Sequence, residues 1–124
     1  MTSGGKGSRE KTPTQLSMEL LAEMGYEAQV VEHKLKGGRT KDLFGCIDII
    51  GAHPVHGILG VQATDNSNHS ARFKKCCRSP VGPWLHSAFL QVWSWRDFES
   101  FAEKEPSVRI QNVTLSDLIE LANE

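Results

Sequence analysis

Residues 41–64 read KDLFGCIDIIGAHPVHGILGVQAT. Two apolar runs, 44–52 and 58–64, flank His53-Pro54-Val55-His56-Gly57, where Pro and Gly punctuate a turn. The pattern predicts a β-hairpin. With residues 53–57 as its loop, Ala52 faces Ile58, Asp48 faces Gln62 and Cys46 faces Thr64. Side chains alternate along a strand, so Asp42, Phe44, Cys46, Asp48 and Ile50 share one face. Gln62 and Thr64 join that face from the partner strand, at Cβ separations of about 4.5–5.5 Å. A one-residue slip would undo the convergence.

A carboxylate on an apolar strand costs free energy unless something satisfies it. A backbone N–H or a neighbouring Lys would do so. The amide carbonyl of Gln62 and a second carboxylate at Asp42 point instead to an oxygen-rich site for a hard cation, Mg²⁺ or Mn²⁺.

Upstream, residues 26–35 are expected to form a strand bordering the hairpin, with Val30-Val31 favouring extended backbone. Glu32 lies within it, either paired with Lys34 or Lys41 or contributing a further acid to the site. The basic, Gly-rich loop 36–41 lacks the spacing of a nucleotide loop, but its Arg39 and Lys41 suit a DNA phosphate. Before it, Thr12-Pro13 or Thr14 opens a helix with Leu16, Leu20, Leu21 and Met24 on one face, and Gly25 ends it. Glu19 on this helix is expected to be a solvated acid. Residues 1–12, rich in Gly, Ser and Lys, read as a flexible arm without the apolar core of a signal peptide. Residues 13–124 read as a single domain.

Downstream, Ser67 or Asn68 is expected to cap a helix from His69 to about Cys77. Arg72, Lys74, Lys75 and Arg78 make it basic, and Phe73, Cys76 and Cys77 give its buried side. The segment 79–83 breaks the chain, 84–88 reads as a helical turn, and 89–95 as a strand whose Trp93 and Trp95 suit a core better than base stacking. A short helical turn around 97–104, a strand over 108–113 and a helix opened by Thr114 or Ser116 complete the chain. Helices at both ends of a strand meander predict an α/β fold with a mixed sheet flanked by helices.

The formal net charge is only −1, which weakly disfavours a nucleic-acid partner, but its distribution is uneven. Residues 34–78 hold eight bases against three acids, and residues 96–124 hold three bases against seven acids. The basic part carries the candidate site, as a phosphate-tracking groove would require. The three cysteines have no zinc spacing and are expected to be reduced thiols in a cytosolic compartment, with Cys46 packed in the sheet. No apolar run approaches the roughly 20 residues that span a bilayer, so no membrane partner is expected.

An Asp in a hydrophobic strand, a turn, and an acid-x-Lys tripeptide on the next strand form the signature of the PD-(D/E)XK nuclease superfamily. Asp42-Leu43-Phe44-Gly45-Cys46-Ile47-Asp48 and Gly60-Val61-Gln62-Ala63-Thr64 resemble it, in the manner of Holliday-junction resolvases and small phage-type proteins. The resemblance covers roughly residues 17–96. It implies a restriction-endonuclease-like αβββαβ core and a Mg²⁺- or Mn²⁺-dependent nuclease, phage-associated and acting on DNA, branched DNA included. The setting it implies is the cytoplasm of a bacterial host or phage-infected cell, with homodimers cutting two strands symmetrically. Asp48, Gln62 and Thr64 would be the catalytic positions. Asp48, Gln62, Asp42 and Glu32 would hold the metal, and Arg39, Lys41, Arg72, Lys74 and Lys75 the nucleic acid. Gln62 stands where most active members have Glu, and Thr64 where they have Lys. A Thr hydroxyl brings no positive charge to a phosphoryl transition state. The alternative is therefore a nuclease-derived module that binds nucleic acid without chemistry, and a third class is a structural or protein-interaction domain.

Overall fold

The computed structural model describes residues 11–38, 40–96 and 107–124. The expected arm up to residue 10, the loop residue Arg39 and the helical turn expected around 97–104 lie outside the described residues. The elements are α1 (Pro13–Glu23), β1 (Glu27–Val30), β2 (His33–Lys34), β3 (Thr40–Lys41), β4 (Ile49–His53), β5 (Gly57–Asp65), α2 (His69–Arg78), α3 (Gly82–Leu85), β6 (Phe89–Arg96), β7 (Ser107–Val113) and α4 (Leu115–Ala122). A 3₁₀ turn, Asn66–Asn68, leads into α2. Among the described residues, no helix is long and apolar enough to cross a membrane.

Five strands form one mixed sheet in the order β1-β4-β5-β6-β7, antiparallel except where β5 and β6 run parallel. β2 and β3 form a separate two-stranded ribbon. Along the main sheet the chain runs helix, three strands, helices, strand, strand, helix, the α/β arrangement expected from the sequence.

Alternation along the strands sorts the side chains into two apolar layers. Ile49, Leu59, Val61, Trp93 and Trp95 pack under Leu21 of α1. Leu90, Val92 and Val113 pack with Cys76 and Cys77 of α2, and with Leu118 and Leu121 of α4. The two tryptophans are core residues, and Trp95 Nε1 donates to Ser17 Oγ at 2.8 Å, tying β6 to α1. α1 begins in a capping box between Thr12 and Gln15 and ends before Gly25, whose φ of 91° suits only glycine without strain. Thr114 and Asp117 form the same reciprocal cap on α4.

The hairpin has the expected register: Ala52 faces Ile58, and His53 faces Gly57. Its loop is held by His53 Nδ1, which accepts from the backbone N–H groups of Val55 and His56 at 3.0 and 3.1 Å. His53 therefore ends β4 and holds the turn in which His56 lies.

The first strand of the hairpin is shorter than expected. β4 starts at Ile49, and residues 42–47 form a tight turn closed by a Leu43–Ile47 bridge. Gly45 N donates to Asp42 O at 3.1 Å and Cys46 N to Leu43 O at 3.2 Å. Phe44 and Gly45 both have positive φ, 54° and 86°. Gly45 was the signal in the sequence, because a glycine within an apparent strand often marks such a kink. Cys46 consequently does not face Thr64. It packs beneath the turn in the same cluster as Cys76, not in the sheet.

The expected strand over 26–35 is also interrupted. β1 stops at Val30, and Val31 N donates to Asp48 O at 2.7 Å before the chain turns away into β2. Glu32 thus lies in the break between strands and not within one.

Candidate metal centre

Both departures from regular strand geometry serve one place. The backbone of Asp48 is fixed on two sides, by Val31 N to its carbonyl and by its own N–H to Val61 O at 2.9 Å. The turn before it folds Asp42 back over Asp48, and the break after β1 brings Glu32 alongside. One carboxylate oxygen from each of Glu32, Asp42 and Asp48 lies within 4.8 Å of the others. Asp42 and Asp48 converge as expected, but through the turn and not by sharing a strand face.

Gly60 on β5 makes room for this arrangement. A Cβ there would meet Ile47 Cδ1 and Trp84 Cζ2 at 3.1 Å each. Its absence lets the side chain of Ile47, the residue before Asp48, pack against β5 at this position.

The acids sit in an open cleft of about 320 Å³. Its lining also includes Gln62, Lys41, Arg72, Lys75, the first turn of α1 at Thr14, and the backbone at Gly45 and Ala63. Asp48 is 4% exposed and Gln62 is 1% exposed. Asp48 Oδ2 accepts from Gln62 Nε2 at 2.6 Å and from Ala63 N at 2.9 Å. With its amide nitrogen so engaged, Gln62 keeps a buried Oε1 that has no hydrogen-bond partner among the described residues. A buried carbonyl oxygen without a donor is costly, and a cation relieves it.

Electrostatics point the same way. Asp48 is pushed up to about 8, first by burial, then by its contact with Asp42 and the charges of Asp42 and Glu32. The Ala63 N–H opposes this in part. Lys75 Nζ lies 3.3 Å from Asp42 Oδ2, the one cation in direct contact with the acids among the described residues. Arg72, three residues earlier on α2, lines the same cleft.

The donor set fits a hard divalent cation. It offers three carboxylates and, on the side chain bonded to Asp48, a buried amide carbonyl, all of them oxygen donors. Glu32, Asp42, Asp48 and Gln62 were all legible in the sequence. Thr14 and the Ala63 N–H were not, since no local pattern marks a residue that a distant element folds over a cleft.

Other expected residues fall elsewhere. Thr64 is buried on β5 opposite Ser94, and is not among the residues lining the cleft. Lys74 is exposed on α2 outside the cleft lining, because Arg72 and Lys75 take the inward face. Glu19 is an exposed acid paired with Lys11 at 2.6 Å. His69, expected only to open α2, is buried between Ser94 Oγ at 2.5 Å and Gln111 Oε1 at 2.6 Å, joining α2 to β6 and β7. Comparisons with protein-family models, curated proteins and solved structures find no match to this chain.

Proposed function

We propose that the protein is a divalent-metal-dependent nuclease acting on DNA, a member of the PD-(D/E)XK superfamily with a D…QxT form of its motif. The observation that carries this reading is the joining of three carboxylates within 4.8 Å to the buried, unpartnered Gln62 Oε1, in a cleft edged by Lys41, Arg72 and Lys75. The element order around the sheet supports it.

Asp48, Asp42, Glu32 and Gln62 Oε1 would hold Mg²⁺ or Mn²⁺. When bound, such a cation supplies the positive charge that makes water nucleophilic at neutral pH and stabilises charge developing on the phosphate. The residues do the remainder. Asp48 must lose its proton before it can ligate. Gln62 and the Ala63 N–H hold its carboxylate in one orientation. Lys75, poised at Asp42, brings to the reacting phosphate the positive charge that Thr64 lacks. Arg72 and Lys41 hold flanking phosphates. Two copies acting together would cut paired strands symmetrically, in the cytoplasm of a bacterial host or phage-infected cell.

The alternative, a nuclease-derived binding module without chemistry, draws support from Thr64, which offers the cleft no charge. Calorimetric titration with Mn²⁺, beside a cleavage assay on single-stranded, duplex and branched DNA, separates the two. The nuclease binds Mn²⁺ and cuts at least one substrate, and Asp48→Ala abolishes both. Binding of DNA without metal uptake or cleavage would leave the module. Metal binding and cleavage that survive Asp48→Ala would refute the site.

A further inference from the structure

The turn that carries Asp42 and Asp48 also carries a side chain that the acid site does not use. Phe44 has a φ of 54° and is followed by Gly45 at 86°. Two successive residues of positive φ favour Asn or Asp followed by Gly. A bulky aromatic at the first position is strained there, and such strain clusters at functional sites. Burial does not offset it, because Phe44 remains 47% exposed. An edge contact with Trp84, at 6.2 Å between ring centroids, sets the orientation of the ring.

Phe44 lines a second hollow of about 620 Å³. Its apolar part is Val31, Leu43, Phe44 and Pro80. Lys41, Asp42 and Gly45 line both this trough and the acid cleft, so the two adjoin at the turn. The polar acid cleft therefore lies next to an apolar trough with an exposed aromatic ring. A nucleotide has the same division, a charged phosphate and, one sugar away, a flat base with apolar faces.

We propose that the trough receives the base of the nucleotide next to the phosphate held in the acid cleft, stacked on Phe44. The substrate must then present an unpaired base, in a single strand or at a branch, because a base inside a duplex cannot reach the ring without leaving its stack. His33 at the trough lining and the Lys41 paired with it across the ribbon supply polar groups for the edge of the base. This inference rests on the nuclease reading.

The test uses fluorescence anisotropy with a labelled single-stranded oligonucleotide and a blunt duplex of the same sequence. Ca²⁺ replaces the catalytic cation, and Mn²⁺ calorimetry and thermal melts accompany it. Phe44→Asn suits the turn, so its melting temperature should equal or exceed that of the wild type. Its affinity for the single strand should fall about 5- to 100-fold, the range spanned by loss of one aromatic stack. Affinity for the duplex should change less than about twofold by the same reasoning, and Phe44→Trp should retain single-strand binding. Mn²⁺ affinity should be unaltered. An equal loss on both DNAs, or none on the single strand, would overturn the base-binding trough while leaving the nuclease reading intact. A melting temperature lowered by about 5 °C or more in Phe44→Asn would make the ring structural and also overturn it. Wild type that binds neither Mn²⁺ nor DNA would remove the nuclease reading and the trough together.

Discussion

Replacing Asp48 by Asn tests the electrostatic state of the cleft without a substrate. In metal-free protein Asp48 titrates at about 8, against 3.8 for a free side chain, chiefly because it is buried. Between these values the native state holds a proton that the unfolded chain has released. Stability therefore falls as pH rises from about 4 to 8 and levels off above. A shift of about 4 units at about 1.4 kcal/mol each sets a ceiling near 6 kcal/mol. Water entering the open cleft as Asp48 ionises reduces this to about 3 kcal/mol. That is a large share of the roughly 6–19 kcal/mol expected for a chain of this length. An Asn at this position imitates the protonated acid. Its carbonyl accepts from Gln62 Nε2 and Ala63 N, and its amide donates to Asp42. Melting curves in EDTA from pH 5 to 8.5 should show wild type losing about 10 °C more than Asp48→Asn across that interval. Mn²⁺ at pH 8 should restore the wild type and leave the variant unmoved, since ligation replaces the proton. Parallel curves for the two proteins, or a wild type that is more stable at pH 8 than at pH 5 relative to the variant, would refute the reasoning.

Gln62→Glu adds a carboxylate beside Asp48, so it should tighten Mn²⁺ binding at least about tenfold in calorimetry, and lower the melting temperature in EDTA at neutral pH. Arg72→Ala with Lys75→Ala should weaken DNA binding and flatten the log–log salt dependence by about one to two units, measured by anisotropy across a salt series. Gly60→Ala places a methyl group 3.1 Å from Ile47 and Trp84, so chemical denaturation should show a loss of about 1–3 kcal/mol, with weakened Mn²⁺ affinity because Ile47 adjoins Asp48.

The register of the hairpin was legible in the sequence because its loop contains Pro54 and Gly57 and because a buried face tolerates no slip. Asp48 lies one residue before the paired strand, with its N–H on Val61 O, and meets Gln62 through the side chains on the face that this register predicts. The turn at 42–47 was hidden, since Leu43, Phe44, Cys46 and Ile47 are β-prone and only Gly45 argues against a strand. Local propensity yields there to the closure of Leu43 on Ile47. Glu32 joins the acid cluster by a geometry other than the one expected: the break that frees it is made by Val31 bonding to Asp48, a contact between residues 17 positions apart. The role of Lys75 at Asp42 likewise depends on where α2 crosses the sheet, which spacing along the helix does not specify.

The central claim, that Glu32, Asp42, Asp48 and Gln62 jointly hold a divalent cation, is tested most directly by anomalous scattering from crystals grown with Mn²⁺. The account predicts one strong manganese peak at about 2.0–2.5 Å from an oxygen of Asp48 and from Gln62 Oε1, with Asp42 or Glu32 completing the set directly or through water. A peak elsewhere that touches neither Asp48 nor Gln62, or no peak at Mn²⁺ concentrations that support cleavage, would contradict it.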